Sequence, residues 1–287
     1  MTRKYSRGLA LLAAAATLAV ACSDDDKGAA DTTSAATQAV ATTEASTATT
    51  EHDHDHGSEP VESPKVVAST SWVAAFASLA GATDITVIAP SNLQHPPDYD
   101  PKASDLAAIA DADFILVAGF EGFADRMREA AGSDAVVETV ATEFFPDALE
   151  AEVLRLAEVM GLDAHDAQHN IDHFKEHWME ESERVTAALA GKNPVVVSHA
   201  FTTVWAALAG LEPAGTFGPE PLTPTKVAEL VALSPTVIFE NMHMPAGADL
   251  VEATGAIQID MRNFPGDDLD LMAVVTANAD AIIAALG

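Results

Sequence analysis

The chain has 287 residues, 48% of them hydrophobic, enough for one large domain or two lobes with real cores. Its 14 basic and 44 acidic residues give a formal net charge of −30, which leaves no basic surface for nucleic acid and instead gathers cations. The single cysteine rules out an internal disulfide.

Arg3, Lys4 and Arg7 open the chain, and the apolar run "GLALLAAAATLAVA" that follows is too short for a comfortable membrane span. Small residues then lead into Cys22 and the polar "SDDDKG". Residues 1–21 therefore read as a secretory signal. "LAVAC" resembles a bacterial lipobox, with Ala19 where leucine is commonest, so Cys22 is the expected lipidated N-terminus. The alternative is an ordinary signal cleaved near Ala21 with a free thiol.

Residues 22–63 are mostly Ala, Thr, Ser, Asp and Glu, which cannot bury enough surface to offset their ordering entropy; they read as a disordered tether. Within them "EHDHDHGSE" alternates His52, His54 and His56 with acids, a pattern suited either to weak, fast-exchanging binding of a borderline divalent metal or to a polar spacer.

From Lys65 onward, β-branched runs alternate with alanine-rich helical stretches. "KVVAS", "DITVIAP" and "DFILVAG" predict strands, with helices at "WVAAFASLAG", "SDLAAIADA" and "PDALEAEVLRLAEVMG". After a long helix, "PVVVSH", "PTVIFEN" and "AIQID" predict strands, and "TTVWAALAG", "TPTKVAELVALS", "GADLVEATG" and the C-terminal stretch predict helices. The expectation is an α/β fold of two (β/α) lobes with mainly parallel sheets: a first lobe at 64–162, a connecting helix at 163–191 and a second lobe at 192–287.

At about 100° per residue, Ile171, Phe174, Trp178, Val185 and Leu189 fall on one narrow face of the connecting helix. His165, His169, His173 and His177 recur every four residues on the opposite side and should be wet. Such i, i+4 pairs suit either a solvated polar face or a weak auxiliary metal site.

Metal-capable side chains follow the strand ends in both halves: His95, Glu121, His199, His243 and Asp260. Ligands of open α/β sheets sit in the crevice beyond the carboxyl ends of the strands, so one shared cleft is expected. His95 precedes Pro96 and Pro97, which fix φ and hold the residue before them out of the α region, so its imidazole is aimed by a stiff loop.

"VVASTSWVAAFASLAGA", "LQHPPDYDPKASDLAAIADADFILVAGFE", "VVVSHAFTTVWAALAG" and "TFGPEPLTPTKVAELV" resemble the solute-binding proteins of ABC importers for zinc and manganese, from about Val66 to the C-terminus. The resemblance implies two lobes joined by one rigid helix, with the metal at the lobe interface. It implies that His95 and His199 are ligands and that Asp260 stands where many members place a final carboxylate. Most members carry a second first-lobe histidine where this chain reads "VATEFFPDALE", with none. Glu121 and His243 are the expected replacements, with Glu143 behind them. The preferred set is His95, Glu121, His199 and His243, with Asp260 as fifth ligand or supporting partner.

Such a set suits Zn2+, with Mn2+ second if oxygen ligands are added, and methionines beside His243 leave an opening for copper. The expected function is extracytoplasmic capture of a divalent metal by a monomeric lipoprotein and its delivery to an ABC permease and its ATPase, with no enzymatic step. The rival readings are a secreted zinc-dependent hydrolase and a metal-buffering or adhesion surface lipoprotein. The chain contains no H-E-x-x-H and no G-x-S-x-G.

Overall fold

A computed structural model describes residues 63–287; Cys22 and the histidines at 52, 54 and 56 lie outside the described residues. The first half builds four strands, β1 (Lys65–Ala68), β2 (Asp84–Val87), β3 (Phe114–Val117) and β4 (Val136–Thr139), with helices α1 (Ser71–Leu79), α2 (Ala103–Ala110), α3 (Ala124–Ala130) and α4 (Pro146–Met160). The long α5 (Ala164–Ala188) follows. The second half builds β5 (Val196–His199), β6 (Gly215–Phe217), β7 (Val237–Asn241) and β8 (Ile257–Met261), with α6 (Thr203–Leu208), α7 (Pro224–Val231), α8 (Ala248–Thr254) and α9 (Leu271–Leu286).

The strands form two parallel four-stranded sheets, ordered β2-β1-β3-β4 and β6-β5-β7-β8. This is the α/β architecture of two lobes expected from the alternating pattern. β4 and β6 are edge strands that the pattern did not announce. Both are short and mostly not buried, so neither carries a continuous apolar run.

Local chemistry fixes the helix ends. Thr70 caps α1 by accepting from the Val73 amide, and Asp163 caps α5 by accepting from the His165 amide at 2.8 Å. Pro146 opens α4, and Gly161 closes it in the left-handed conformation that costs a glycine nothing. Thr223 and Pro224 start α7 in the same way.

One apolar cluster runs through both lobes, joining Val66, Phe76, Leu156 and Phe174 to Trp205, Phe239, Met261 and Ile282. Smaller clusters cover the outer sheet faces: Ile109, Ile115, Phe123 and Met127 in the first lobe, Val197, Phe217, Ile238 and Leu250 in the second. Ile171, Phe174, Trp178, Val185 and Leu189 are buried, as their spacing on α5 requires.

The histidine side of α5 needs a correction. His165, His169 and His173 are exposed, but His177 packs against α9, its Nε2 2.9 Å from the Thr276 hydroxyl. The helix buries a second flank there, marked by buried Glu181, which accepts from Thr276 and pairs with Arg184. Among the described residues no helix is long and apolar enough to cross a membrane.

Candidate metal centre

In each sheet the chain leaves the two central strands in opposite directions, which makes β1/β3 and β5/β7 the switch points where open α/β sheets bind ligands. In the second lobe the residues beyond those strands are histidines: His199 ends β5 and His243 follows β7. In the first lobe they are Trp72, at the start of α1, and Glu121 beyond β3. His95 enters from the loop after β2.

A cavity of about 510 Å3 lies between the lobes, lined by Trp72, His95 and Thr142 on one side and by Phe201, His243 and Asn263 on the other. The lobes are clasped beside it. The Gln94 side chain donates to the Met242 carbonyl, and the Gln94 carbonyl lies 3.3 Å from His243 Nδ1. Ser71 donates to the Pro265 carbonyl at 2.8 Å, and Ser91 to Asp267 at 2.5 Å. A run of aromatic contacts from Phe264 through Trp72 and Phe144 to Trp205 and Trp178 stiffens this junction.

The three histidines differ in what their second nitrogen does. His95 Nδ1 is 2.8 Å from Asp98, at the end of the 3-10 turn Pro96–Asp98 that its two buried prolines build. A carboxylate accepts there, so Nδ1 carries the proton and Nε2 keeps its lone pair. His243 Nδ1 faces a carbonyl, which can only accept, so its Nε2 also keeps the lone pair. That Nε2 is buried and has no hydrogen-bond partner. His199 is arranged the other way. Its Nδ1 accepts from the Phe201 amide at 3.1 Å, which places the proton on Nε2.

His199 is fully buried, and its Nε2 also lacks a partner. Gly218 covers it: a Cβ there would lie 2.3 Å from Nε2, and the backbone has φ +74°. Burial holds the His199 imidazole down to about 4, so it is neutral at physiological pH. Burial also pulls His243 down to about 4, against the Gln94 carbonyl and helped by Arg262 and His95. Neutral imidazole is the form that binds metal.

The carboxylates expected to complete the set are placed elsewhere. Glu121 is buried and bonded within the first lobe: Ser69 and the Ala118 amide donate to one oxygen, and the Gly119 amide donates to the other at 2.7 Å. It does not line the cavity. The next residue, Gly122, donates to the Pro97 carbonyl at 3.1 Å, so the Glu121 loop supports the loop of His95. Asp260 is exposed on β8, accepts from Gln258 at 2.7 Å and does not line the cavity either. On β7 beside it, Glu240 is buried and accepts from the Asn241, Ala246 and Gly247 amides. Burial raises its pKa against those bonds. Glu143 is exposed and lines a separate recess of about 240 Å3 with Phe145 and Phe201. Where the second first-lobe histidine was missing, Thr142 lines the cavity.

Among the described residues no three His, Cys, Asp or Glu side chains come close enough to hold an ion in this structure. His95 and His243 share the cavity, while His199 lies sealed under Gly218. Sequence reasoning missed Trp72, Gly218, Arg262 and Asp98. Only Asp98 carried a local signal, an acid three residues after a histidine.

Residues 66–169 match the family model described as zinc-uptake complex component A, periplasmic. A search of curated protein sequences gave no match. Among solved structures, the SBP FpvC of Pseudomonas aeruginosa in complex with Ni2+ superposes with a TM-score of 0.61 at 16% identity, covering 78% of this chain and 97% of that one. AdcAII of Streptococcus pneumoniae gives 0.57 at 18% identity, covering 79% and 100%. The laminin-binding protein Lbp of Streptococcus pyogenes gives 0.56 at 18% identity, covering 78% and 99%. The first lobe thus carries the sequence pattern of the zinc-uptake component, and the whole described domain carries the two-lobed fold of these binding proteins.

Proposed function

We propose that this protein captures a divalent transition metal outside the cytoplasm and passes it to an ABC permease. Zinc is the first choice and manganese the second. The observation that carries this reading is two neutral imidazoles, fully buried His199 and half-buried His243, each with a buried, unpartnered Nε2, beside a cavity that His95 enters from the other lobe. Buried nitrogens without partners cost stability unless a ligand meets them.

The ligands in this reading are His95, His199 and His243. Three imidazoles and one further donor form the tetrahedral set that zinc takes, whereas manganese favours more oxygens. Asp98 and the Gln94 carbonyl hold two of the rings in the tautomer that offers Nε2. His199 must change tautomer to join them. That requires the Phe201 amide to release Nδ1 and Gly218 to move aside, so loading is coupled to a rearrangement of residues 199–202 and 218. Capture and release need no covalent chemistry.

The match of residues 66–169 to a zinc-uptake component supports the choice of metal, and the Ni2+ and Mn2+ complexes of FpvC show that this fold carries other ions in other proteins. The signal-like start and Cys22 support a lipid-anchored location, and the acidic charge supports gathering cations. The test is metal analysis of protein purified without added metal, followed by competitive zinc and manganese titration. One tightly held zinc per chain supports the proposal; protein that retains neither metal refutes it.

A further inference from the structure

All ten histidines of the chain fall in three groups. Three lie before residue 57, and three belong to the candidate metal centre between the lobes. The other four are the row on α5, and none is left over. A solvated helix face has no need of histidine: glutamate, lysine and glutamine are all better helix formers. Yet α5 takes histidine at 165, 169, 173 and 177, a spacing that stacks the side chains on one face.

The structure separates the four. His177 places its Nε2 on Thr276, and His165 stands beside Asp166, 3.7 Å from Nδ1 to the carboxylate. His169 and His173 are exposed, and neither ring has a hydrogen-bond or ion-pair partner among the described residues. Residues four apart on a helix have Cβ atoms about 5–6 Å apart. An ion that takes imidazole nitrogen at about 2.0–2.1 Å fits between two such rings, as in helices that hold zinc through histidines at this spacing. Glu176 is exposed and lies three residues beyond His173. At about 100° per residue, His169, His173 and Glu176 span only about 60° of the helix, so a carboxylate oxygen is at hand.

The charge around the row favours a cation. The bases on α5 are Lys175 and Arg184, and both are tied to acids: Lys175 to Asp147 and Glu150, Arg184 to Glu181 and Asp280. No three donors converge here as the side chains stand. A solvent-exposed clip of two rings needs only rotation about side-chain bonds to close, with Glu176 and water completing the ion's shell.

We infer that His169 and His173, with Glu176, form a second metal site on the outer face of α5: a labile clip for a borderline divalent ion such as Zn2+, Ni2+ or Cu2+. Paired imidazoles select those ions, whereas Mn2+, Mg2+ and Ca2+ favour oxygen donors and pass the clip by. With two nitrogens in open solvent it holds metal more weakly than a three-imidazole centre and exchanges it faster. The clip goes beyond the proposed cavity centre and does not depend on it.

The test uses the full chain with His52, His54 and His56 changed to alanine, so that histidine remains only at the cavity and on α5. Calorimetric titrations with Ni2+, Zn2+ and Mn2+ are read with native mass spectrometry. The expected result is one tight and one weaker site for Ni2+ and Zn2+, with no weaker site for Mn2+. His169→Gln breaks both open pairs, 165 with 169 and 169 with 173. It should weaken the second site by at least about tenfold, the lower end of what losing even a supporting group costs a metal site, and leave the tight site unchanged. His165→Gln should leave both sites in place. Because glutamine is the better helix former, thermal unfolding of the metal-free variants should match the parent. A single site for Ni2+ and Zn2+, a second site that His169→Gln does not weaken, or equal filling by Mn2+ overturns the clip. A weak site without a tight one overturns the cavity centre and leaves the clip standing.

Discussion

The two lobes share one topology but end their central strands differently. In each, a buried glutamate at the third strand folds back onto backbone amides: Glu121 onto Ala118 and Gly119, Glu240 onto Asn241, Ala246 and Gly247. The lobes differ in their histidines. The second lobe offers two, His199 fully buried and His243 half-buried, while the first offers one half-buried ring on a proline-stiffened loop with its own carboxylate partner. The glutamates therefore hold loops in shape, and the histidines are the groups left with unmet bonding capacity. His95 and His243 already share the cavity, and only His199 is sealed, so in the proposed reading the segment around His199 and Gly218 is the part that must move.

That contrast can be broken most severely at the sealed side. His199→Ala should weaken zinc binding by more than about 100-fold, above the 10–100-fold typical of losing an outer-shell partner. Competitive titration showing unchanged affinity would remove His199 from the ligands and leave the first lobe and His243 to hold the ion.

The next effect concerns pH and the two imidazoles of the second lobe. Both are lowered from 6.5 to about 4 in the folded protein. Between those values the unfolded chain binds more protons than the folded one, so stability falls as pH drops from about 6.5 towards 4. Above 6.5 both states are neutral at these rings and the effect vanishes. Thermal unfolding of metal-free protein from pH 7 to 5 should show a declining midpoint, and His243→Ala should flatten the decline. An equal slope in the variant would contradict the burial of that ring.

The smallest effect on binding sharpens the role of the glutamates. Glu121→Gln should leave zinc affinity within a few-fold of wild type while lowering stability by about 2 kcal/mol, the scale of hydrogen bonds to a charged group. An affinity loss as large as that of His199→Ala would return Glu121 to the coordination shell.

Much of this was legible in the chain. The alternation of β-branched runs with alanine-rich helices gave the two parallel sheets, and the 3.6-residue period put Ile171, Phe174 and Trp178 inside. The edge strands β4 and β6 were not legible, because a short, mostly unburied strand needs little apolar sequence. His177 departed from its row because α9 packs on that flank, a tertiary fact with no local sign. The positions after the strands singled out His95 and His243, which line the cavity, and His199, which the fold buries beside it. They could not separate a donor with unmet capacity from a carboxylate already satisfied. Glu121 is bonded to Ser69 from another strand end, and His199 is covered by Gly218 beyond β6. Such satisfaction comes from residues that meet only in the fold.

The central claim is that rings from both lobes hold one ion. X-ray absorption at the zinc edge, on protein loaded with one equivalent, tests it most directly. A variant with His52, His54 and His56 changed to alanine serves as the control. The account predicts three imidazole nitrogens at about 2.0–2.1 Å in both proteins. One imidazole or none, or a signal that disappears with the histidines at 52, 54 and 56, would contradict it.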